Sequence, residues 1–527
     1  MPGTARRIVV WLLGALLAAL AGCTSLPKVD REAIASEAIP LSPKTTLGHI
    51  ALESTPAADQ SGFRLMPLGT FSYDTRLQLA KRAQVSLDLQ YYHFENDPSG
   101  RYLLRALRDA AARGVRVRLL IDDFYTGGQD PLFLAFAAHP NVEVRIFNPF
   151  CCARDHGQAT RFAASLGDWS RVNHRMHNKM FIADGAMVVF GGRNLADEYF
   201  LRNDKAENFI DVDAFTIGFI VPPLQALFDR YWNSDPVYPL HAIAKSDLTP
   251  EQLRAKFEEW TGPANTPPPK ALPPNDILGY GPIADDLEDG RLGLIWGSAY
   301  VFADYPDKPF EPGDGELLET SATYNAFEAI RLAKTEVVGT SPYLVPGKRG
   351  MALLAELRDR NVKVTLMTNS LGSTDEPLVH LGYRRYREDM LRLGVDLYEL
   401  SSVRVKKNKR NFLFGSSLGR LHAKLLVIDR KTLFIGSMNL DPRSASTNTE
   451  LGAVIESPEL ARELLRVIDI DRLQSAYRVR LAPNGTGLQW LTIEDDEEVV
   501  LGEEPESSAW LKLKLWLFST FVPESLL

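Results

Sequence analysis

Three cysteines in 527 residues exclude a disulfide-built scaffold. Two of them, Cys151 and Cys152, are adjacent. Adjacent cysteines rarely bridge without strain, and with no spaced partners nearby they make a poor metal site. A basic excess is also missing: 59 Lys and Arg stand against 67 Asp and Glu, a net charge of −8. That balance argues against nucleic-acid binding, whose electrostatic footprint is positive. The one compact basic run, Arg404, Lys406, Lys407, Lys409 and Arg410, reads as a solvated loop. The apolar stretch from Ile8 to Ala21 is too short for a comfortable membrane span. What is present is ordinary globular composition, 45% hydrophobic and 24% charged, in a chain too long for one core.

The N-terminus carries its own signal. Arg6 and Arg7 precede the apolar stretch, as in a secretory leader. The stretch ends in Leu20-Ala21-Gly22-Cys23, which resembles a bacterial lipobox with Cys23 as the lipidated residue. Residues 1–22 are therefore expected to be a lipoprotein signal peptide. Thr24 follows the cysteine, a pattern that resembles lipoproteins of the outer membrane. The expectation is a membrane-anchored protein facing the periplasm. Residues 23–60, rich in Ser, Thr, Pro and Ala, read as a flexible tether.

The body divides into two halves. Val85 to Tyr91 reads as a buried strand, a helix follows from Leu103 to Ala112, and Val115 to Ile121 is an alternating strand. Val337 to Tyr343, a helix from Gly350 to Asp359, and Val362 to Met367 repeat that order. Strand–helix–strand units imply parallel pairing. The proline-rich run from Thr261 to Pro274 cannot sit inside a helix or strand and marks the join. The expected division is 61–245 and 291–480 for the halves, 246–290 between them, and 481–527 as a C-terminal extension. Within that extension, Trp510 to Phe518 alternates apolar and basic residues and reads as a packed strand or helix.

The chemistry sits in a second repeat. His177-Asn178-Lys179 is followed by Asp184, and His422-Ala423-Lys424 by Asp429. The offset is constant, 422 − 177 = 245 and 429 − 184 = 245. Gly191-Gly192-Arg193-Asn194 and Gly436-Ser437-Met438-Asn439 keep the same offset. Residues i and i+2 of a strand share a face, so each histidine lies beside its lysine, a nucleophile or proton donor next to a fixed positive charge. That combination suits a phosphate. A lysine held cationic between the histidines disfavours a metal there. Asp184, before Gly185, signals a hairpin. Asp184 and Asp429 read as turn and scaffold residues more than as proton carriers, while Asn194 and Asn439 can offer amide hydrogens to phosphate oxygens.

These paired motifs resemble the signature of the phospholipase D superfamily. Gly191 to Phe200, Gly436 to Ser444, Ile121-Asp122-Asp123 and Ser341 to Gly347 resemble its bacterial cardiolipin synthase C type. The resemblance implies an α/β fold of two similar halves, each a mostly parallel mixed sheet flanked by helices, with the active site at their interface. It implies a phosphatidyltransferase making cardiolipin from phosphatidylglycerol and a second phospholipid. The alternatives are a phospholipid hydrolase and, less favoured, a nuclease-type phosphodiesterase. It also implies double displacement: one histidine, assigned as His177, forms a phosphohistidine and the other, His422, serves as acid and base. Lys179, Lys424, Asn194 and Asn439 would stabilise charge on phosphorus. By position, Glu450 matches the carboxylate partner of His422, and Asp211 that of His177, with Asp213 as a rival. No cofactor or metal is implied. The expected partners are phospholipids and a membrane surface reached through lipidated Cys23, with no nucleic acid.

Overall fold

The structure, a computed structural model, describes residues 26–202, 207–308, 321–407, 418–469, 472–494 and 497–507. The leader, Cys23 and the stretch from Trp510 to Phe518 lie outside the described residues. The first half is framed by β1 (Ser61–Met66), β2 (Ser86–Tyr91), β3 (Arg116–Asp122), β4 (Val142–Phe147), β5 (Met180–Ala183), β6 (Met187–Gly191) and β7 (Asp213–Gly218). The second is framed by β8 (Ile295–Ala303), β9 (Glu336–Thr340), β10 (Lys363–Asn369), β11 (Asp396–Leu400), β12 (Leu425–Ile428), β13 (Thr432–Gly436) and β14 (Leu451–Glu456).

Strand order is β4-β3-β2-β5-β6-β7-β1 in one half and β11-β10-β9-β12-β13-β14-β8 in the other. β1 also pairs antiparallel with β8, which joins the two halves. Within this frame parallel pairing is confined to β2-β3-β4 and β9-β10-β11, and the other pairs are antiparallel. The sheets are thus mixed, with a smaller parallel share than the strand–helix–strand units suggest. After the third parallel strand each half crosses back to the far side of its first strand and adds an antiparallel group that opens with the hairpin β5-β6 or β12-β13.

The helix between β2 and β3 starts at Pro98, ahead of the expected Leu103. Asp97 caps it by accepting from Gly100 N, and Pro98 fits the first helical turn. Its apolar face, Leu103, Leu104, Leu107, Ala110 and Ala111, is buried. Gly114 beyond its end takes φ 98°, a conformation suited to glycine.

Three apolar clusters form the core. One lies under the helices of the first half and another under those of the second. The third lies between the halves and draws on both. Strand alternation builds it: Met180 and Ile182 face the shared cluster while Phe181 and Ala183 face outward, and Leu425 and Val427 oppose Leu426 and Ile428 likewise. Both faces of β5 and β12 are therefore dry, which is why these strands are apolar throughout.

The expected flexible tether is corrected over its described part. Residues 30–54 form a strap laid along the first half. Arg31 donates to Asp235 O, Ala38 N donates to Asp229 Oδ2, and Gln225 donates to Ile39 O. Leu47, Ile50 and Ala51 of the helix Thr46–Ser54 join the core. Small polar residues that suggest a linker here serve as caps and backbone partners instead. The basic run is corrected in part: Arg404 is buried against Glu494, while Lys409 and Arg410 lie outside the described residues. Cys151 and Cys152 are not disulfide-bonded and are half-buried, 3.0 Å apart at sulfur.

Candidate active site

Two short parallel ladders between the halves set the site. Arg175–Met176 pairs with Asn448–Thr449, and Leu418–Leu421 pairs with Glu207–Ile210. The next residue on each strand is a candidate site residue. His177 N donates to Thr449 O at 2.8 Å, beside Glu450, and His422 N donates to Ile210 O at 2.8 Å, beside Asp211. The carboxylates are consequently crossed. His177 Nδ1 meets Glu450 Oε2 at 2.9 Å, and His422 Nδ1 meets Asp211 Oδ2 at 2.7 Å. This corrects the sequence-based assignment, which kept each histidine with the other acid. Backbone pairing across the join, rather than closeness in sequence, decides the partner.

The two acids are held differently. Glu450 accepts from Ser437 Oγ at 2.5 Å and Ser444 Oγ at 2.8 Å. Burial pushes its carboxyl up to about 7, against the pull of Lys179, the two hydroxyls and Lys308. Asp211 accepts from Val212 N at 2.8 Å, and burial raises it too, against Lys424 and Arg193. Gly192 faces that carboxylate, and a Cβ there would lie 2.4 Å from Asp211 Oδ2. At the matching position of the other half stands Ser437, whose hydroxyl bonds Glu450. One half makes room for its acid and the other grips it.

With Nδ1 engaged by a carboxylate, each imidazole keeps Nε2 for chemistry. Burial, together with Lys179, Lys424 and Arg443, holds His177 well below its ordinary value. Burial with both lysines and His177 does the same to His422. The mutual influence places both histidines and both lysines in one electrostatic site. Lys179 Nζ donates to His177 O at 2.6 Å and lies 5.2 Å over the Tyr92 ring. Lys424 Nζ donates to His422 O at 2.5 Å, and burial brings it down to about 8. Tyr92 and Tyr199 set their edges against His177 and His422 at 5.0 and 5.1 Å.

The other sequence candidates separate. Asp184 lies away from the histidines and accepts from Gln84 N, Val85 N and Ser86 N. Asp429 does the same for Lys334, Thr335 and Glu336. Both take positive φ at their hairpins, 52° and 51°. These are scaffold contacts, so the structure gives neither a proton-transfer role. Asn194 is engaged by His93 N and Tyr199 Oη, whereas Asn439 is buried with Oδ1 unpartnered among the described residues. Asp213 binds Arg76 and Ser72, away from either histidine.

Several supporting residues escape sequence reasoning. Lys308 is buried and donates to Asp304 Oδ2, Ser444 O and Asn448 O, each at 2.9 Å. Asp304 Oδ2 in turn accepts from Glu450 N at 2.9 Å. Behind Asp211 the cation is Arg193, which donates to Asp211 O and Pro67 O. Met438 stands at the position matching Arg193, so the repeat itself signals that the halves solve this differently. Among the described residues no three His, Cys, Asp or Glu groups converge as a metal site, and no helix is long and apolar enough to cross a membrane.

The chain is similar to known proteins. The family model "Cardiolipin synthase, PLD-like domain" matches residues 77–232 and 327–471. The chain is 37% identical over 465 residues to cardiolipin synthase C of Escherichia coli (strain K12), covering 86% of this chain and 94% of that protein. It is 31% identical over 523 residues to an uncharacterized protein of Helicobacter pylori, covering 95% and 97%. Among solved structures, phosphatidylserine synthase of Haemophilus influenzae Rd KW20 shares the fold, with TM-score 0.56 and 11% identity over 92% of this chain and 100% of that one.

Proposed function

This chain belongs to the cardiolipin synthase, phospholipase D-like family, and from that premise we propose that it transfers a phosphatidyl group between phospholipid headgroup alcohols, making cardiolipin from phosphatidylglycerol and a second phospholipid. The observation that carries the reading is the crossed pair: two imidazoles from opposite halves, each backed by a buried carboxylate from the other half, with a lysine from each half acting on both.

His177 Nε2, neutral because burial and the lysine charges disfavour its protonation, attacks phosphorus. As the phosphodiester enters, His422 takes up a proton from solvent at Nε2; an N–P bond then forms as the P–O bond to the leaving alcohol breaks, and that oxygen takes the proton from His422 Nε2. His422 then removes the proton from the incoming hydroxyl. The new P–O bond forms, the N–P bond breaks, and with that proton returned to solvent both histidines are in their starting states. An entering phosphodiester anion offsets the two ammonium charges, which raises the basicity of His422 at the moment it must hold a proton. Lys179 and Lys424 offset charge on the phosphoryl oxygens. Glu450 and Asp211 fix each tautomer and stabilise each imidazolium. No step calls for a cofactor.

The leader and the sequence Leu20-Ala21-Gly22-Cys23 support acylation of Cys23 and a periplasm-facing membrane anchor, in keeping with an outer-membrane lipoprotein. Tethering raises the effective concentration of lipid substrate. The test is product analysis with phosphatidylglycerol and phosphatidylethanolamine in mixed micelles. Cardiolipin from the wild-type protein supports the transferase. Phosphatidic acid alone would mean that water is the acceptor, and no lipid turnover at all would redirect attention to nucleic-acid phosphodiesters.

A further inference from the structure

The strap fixes where the N-terminal end of the described chain leaves the body. Arg31 donates to Asp235 O and Val237 O and stacks on Tyr238 at 4.5 Å. Val237 pairs with Phe147, the last residue of β4. The strap therefore leaves at the C-terminal edge of the parallel strands, and so does the site: β2 runs into Tyr92 and β3 ends at Asp122, whose carboxylate accepts from Met176 N at 2.8 Å.

A chain of contacts joins the two. Asn148 N donates to Pro236 O, and its amide donates to Arg171 O and His174 O. His174 Nε2 contacts Pro306 O at 3.0 Å. Beside these contacts stand two of the exposed large aromatics, Trp169 at 42% and Tyr305 at 46% exposure. Arg230, exposed, lies 4.6 Å over the Tyr305 ring. From Trp169 a file of rings leads inward: Phe162 at 5.4 Å, Phe124 at 5.8 Å, Tyr92 at 6.0 Å and finally His177 at 5.0 Å.

We propose that this edge docks on a phospholipid bilayer, with Trp169 and Tyr305 seated among the headgroups and the mouth of the active site opening against them. The inference rests on the phospholipid substrate and the acylated Cys23 proposed above. Three features select a bilayer as the occupant. Cys23 lies eight residues before Arg31, so its backbone lies within about 28 Å of that of Arg31. Exposed aromatic rings with a polar or amphipathic edge favour the headgroup zone. Arg230 adds a positive charge toward anionic headgroups. An aqueous-facing mouth would require each lipid to leave the bilayer before reaching His177, whereas this edge keeps the acyl chains in place.

The experiment uses the full chain reconstituted in vesicles of phosphatidylglycerol and phosphatidylethanolamine, some bearing brominated acyl chains. Trp169 is one of eight tryptophans, so quenching is read as the difference between wild type and Trp169→Phe. The proposal expects bromolipid quenching to fall in the variant, and equal quenching in both overturns it. Turnover gives a second reading. The double variant Trp169→Ser, Tyr305→Ser should lose about tenfold against vesicles and stay within about twofold on monomeric dihexanoyl phosphatidylglycerol, tenfold matching one well-placed interfacial contact. An equal fall on both substrates overturns the docking role. If the wild type turns over neither substrate yet the quenching difference holds, the transferase reading fails and the docking surface stands.

Discussion

Glu450→Gln separates the chemistry of the crossed pair from the stability of the fold. The substitution keeps the shape and the hydrogen-bonding capacity toward Ser437 and Ser444 but removes the charge facing His177 Nδ1 at 2.9 Å. A charge pair about 4 Å apart at an effective dielectric of about 20 is worth about 4 kcal/mol. Part of that acts only when His177 gains positive character, so kcat should fall about 10² to 10³-fold. Stability should move the other way. Burial raises the Glu450 carboxyl from 4.5 to about 7. A raised folded value means that ionised Glu450 opposes folding, and the penalty grows as pH climbs from 4.5 through about 7. Its full size is on the order of 3 kcal/mol. At pH 8 the variant should therefore melt at or above the wild-type temperature while turning over far more slowly. Initial rates of cardiolipin formation and thermal melts at pH 5 and pH 8 read both effects. A kcat within about threefold of wild type would refute the pairing, and a large loss of melting temperature at pH 8 would refute the electrostatic account.

Further outcomes follow from the same geometry. Glu450 ionises above about 7 and Lys424 discharges above about 8, so kcat/KM should be bell-shaped with limbs near those values; Lys424→Arg, which stays charged, should carry the alkaline limb upward, and an unmoved limb would detach it from Lys424. Lys308→Met strands Asp304, Ser444 O and Asn448 O and removes a pull on Glu450. Activity should drop at least about tenfold with the acidic limb displaced upward, and Lys308→Arg should restore part of both; a drop with no pH displacement would make the role purely structural. Asp184→Asn should cost about 2 kcal/mol of stability through weakened bonds from Gln84, Val85 and Ser86, leaving the activity of folded protein within about twofold, as checked by melts and active-site-normalised rates.

What the sequence reveals about this site is what lies close along the chain. The His-x-Lys repeat, the hairpins at Asp184 and Asp429, and the strand–helix–strand units are all local patterns of burial and turn chemistry. Glu450 and Asp211 are legible as acids of interest, but their partners are not. The choice is made by ladders pairing Arg175–Met176 with Asn448–Thr449 and Leu418–Leu421 with Glu207–Ile210. Nothing local in either segment encodes a pairing that closes only when the shared core of Met180, Ile182, Leu425 and Val427 assembles. Lys308 is invisible for the same reason: a lone lysine reads as solvent-exposed until Asp304 and two carbonyls surround it. The strap misleads through composition. Ser36 and Thr45 suggest a linker, yet Ser36 Oγ accepts from the Trp232 indole and Thr45 caps a helix that buries Ile50.

The measurement closest to the central claim is a rapid base quench of the enzyme during turnover of phosphatidylglycerol, followed by peptide mass spectrometry. The account predicts a phosphatidyl adduct on His177, absent from His177→Ala, and loss of cardiolipin formation in both His177→Ala and His422→Ala. Turnover that continues in His177→Ala, or an adduct found on neither histidine while cardiolipin accumulates, would contradict it.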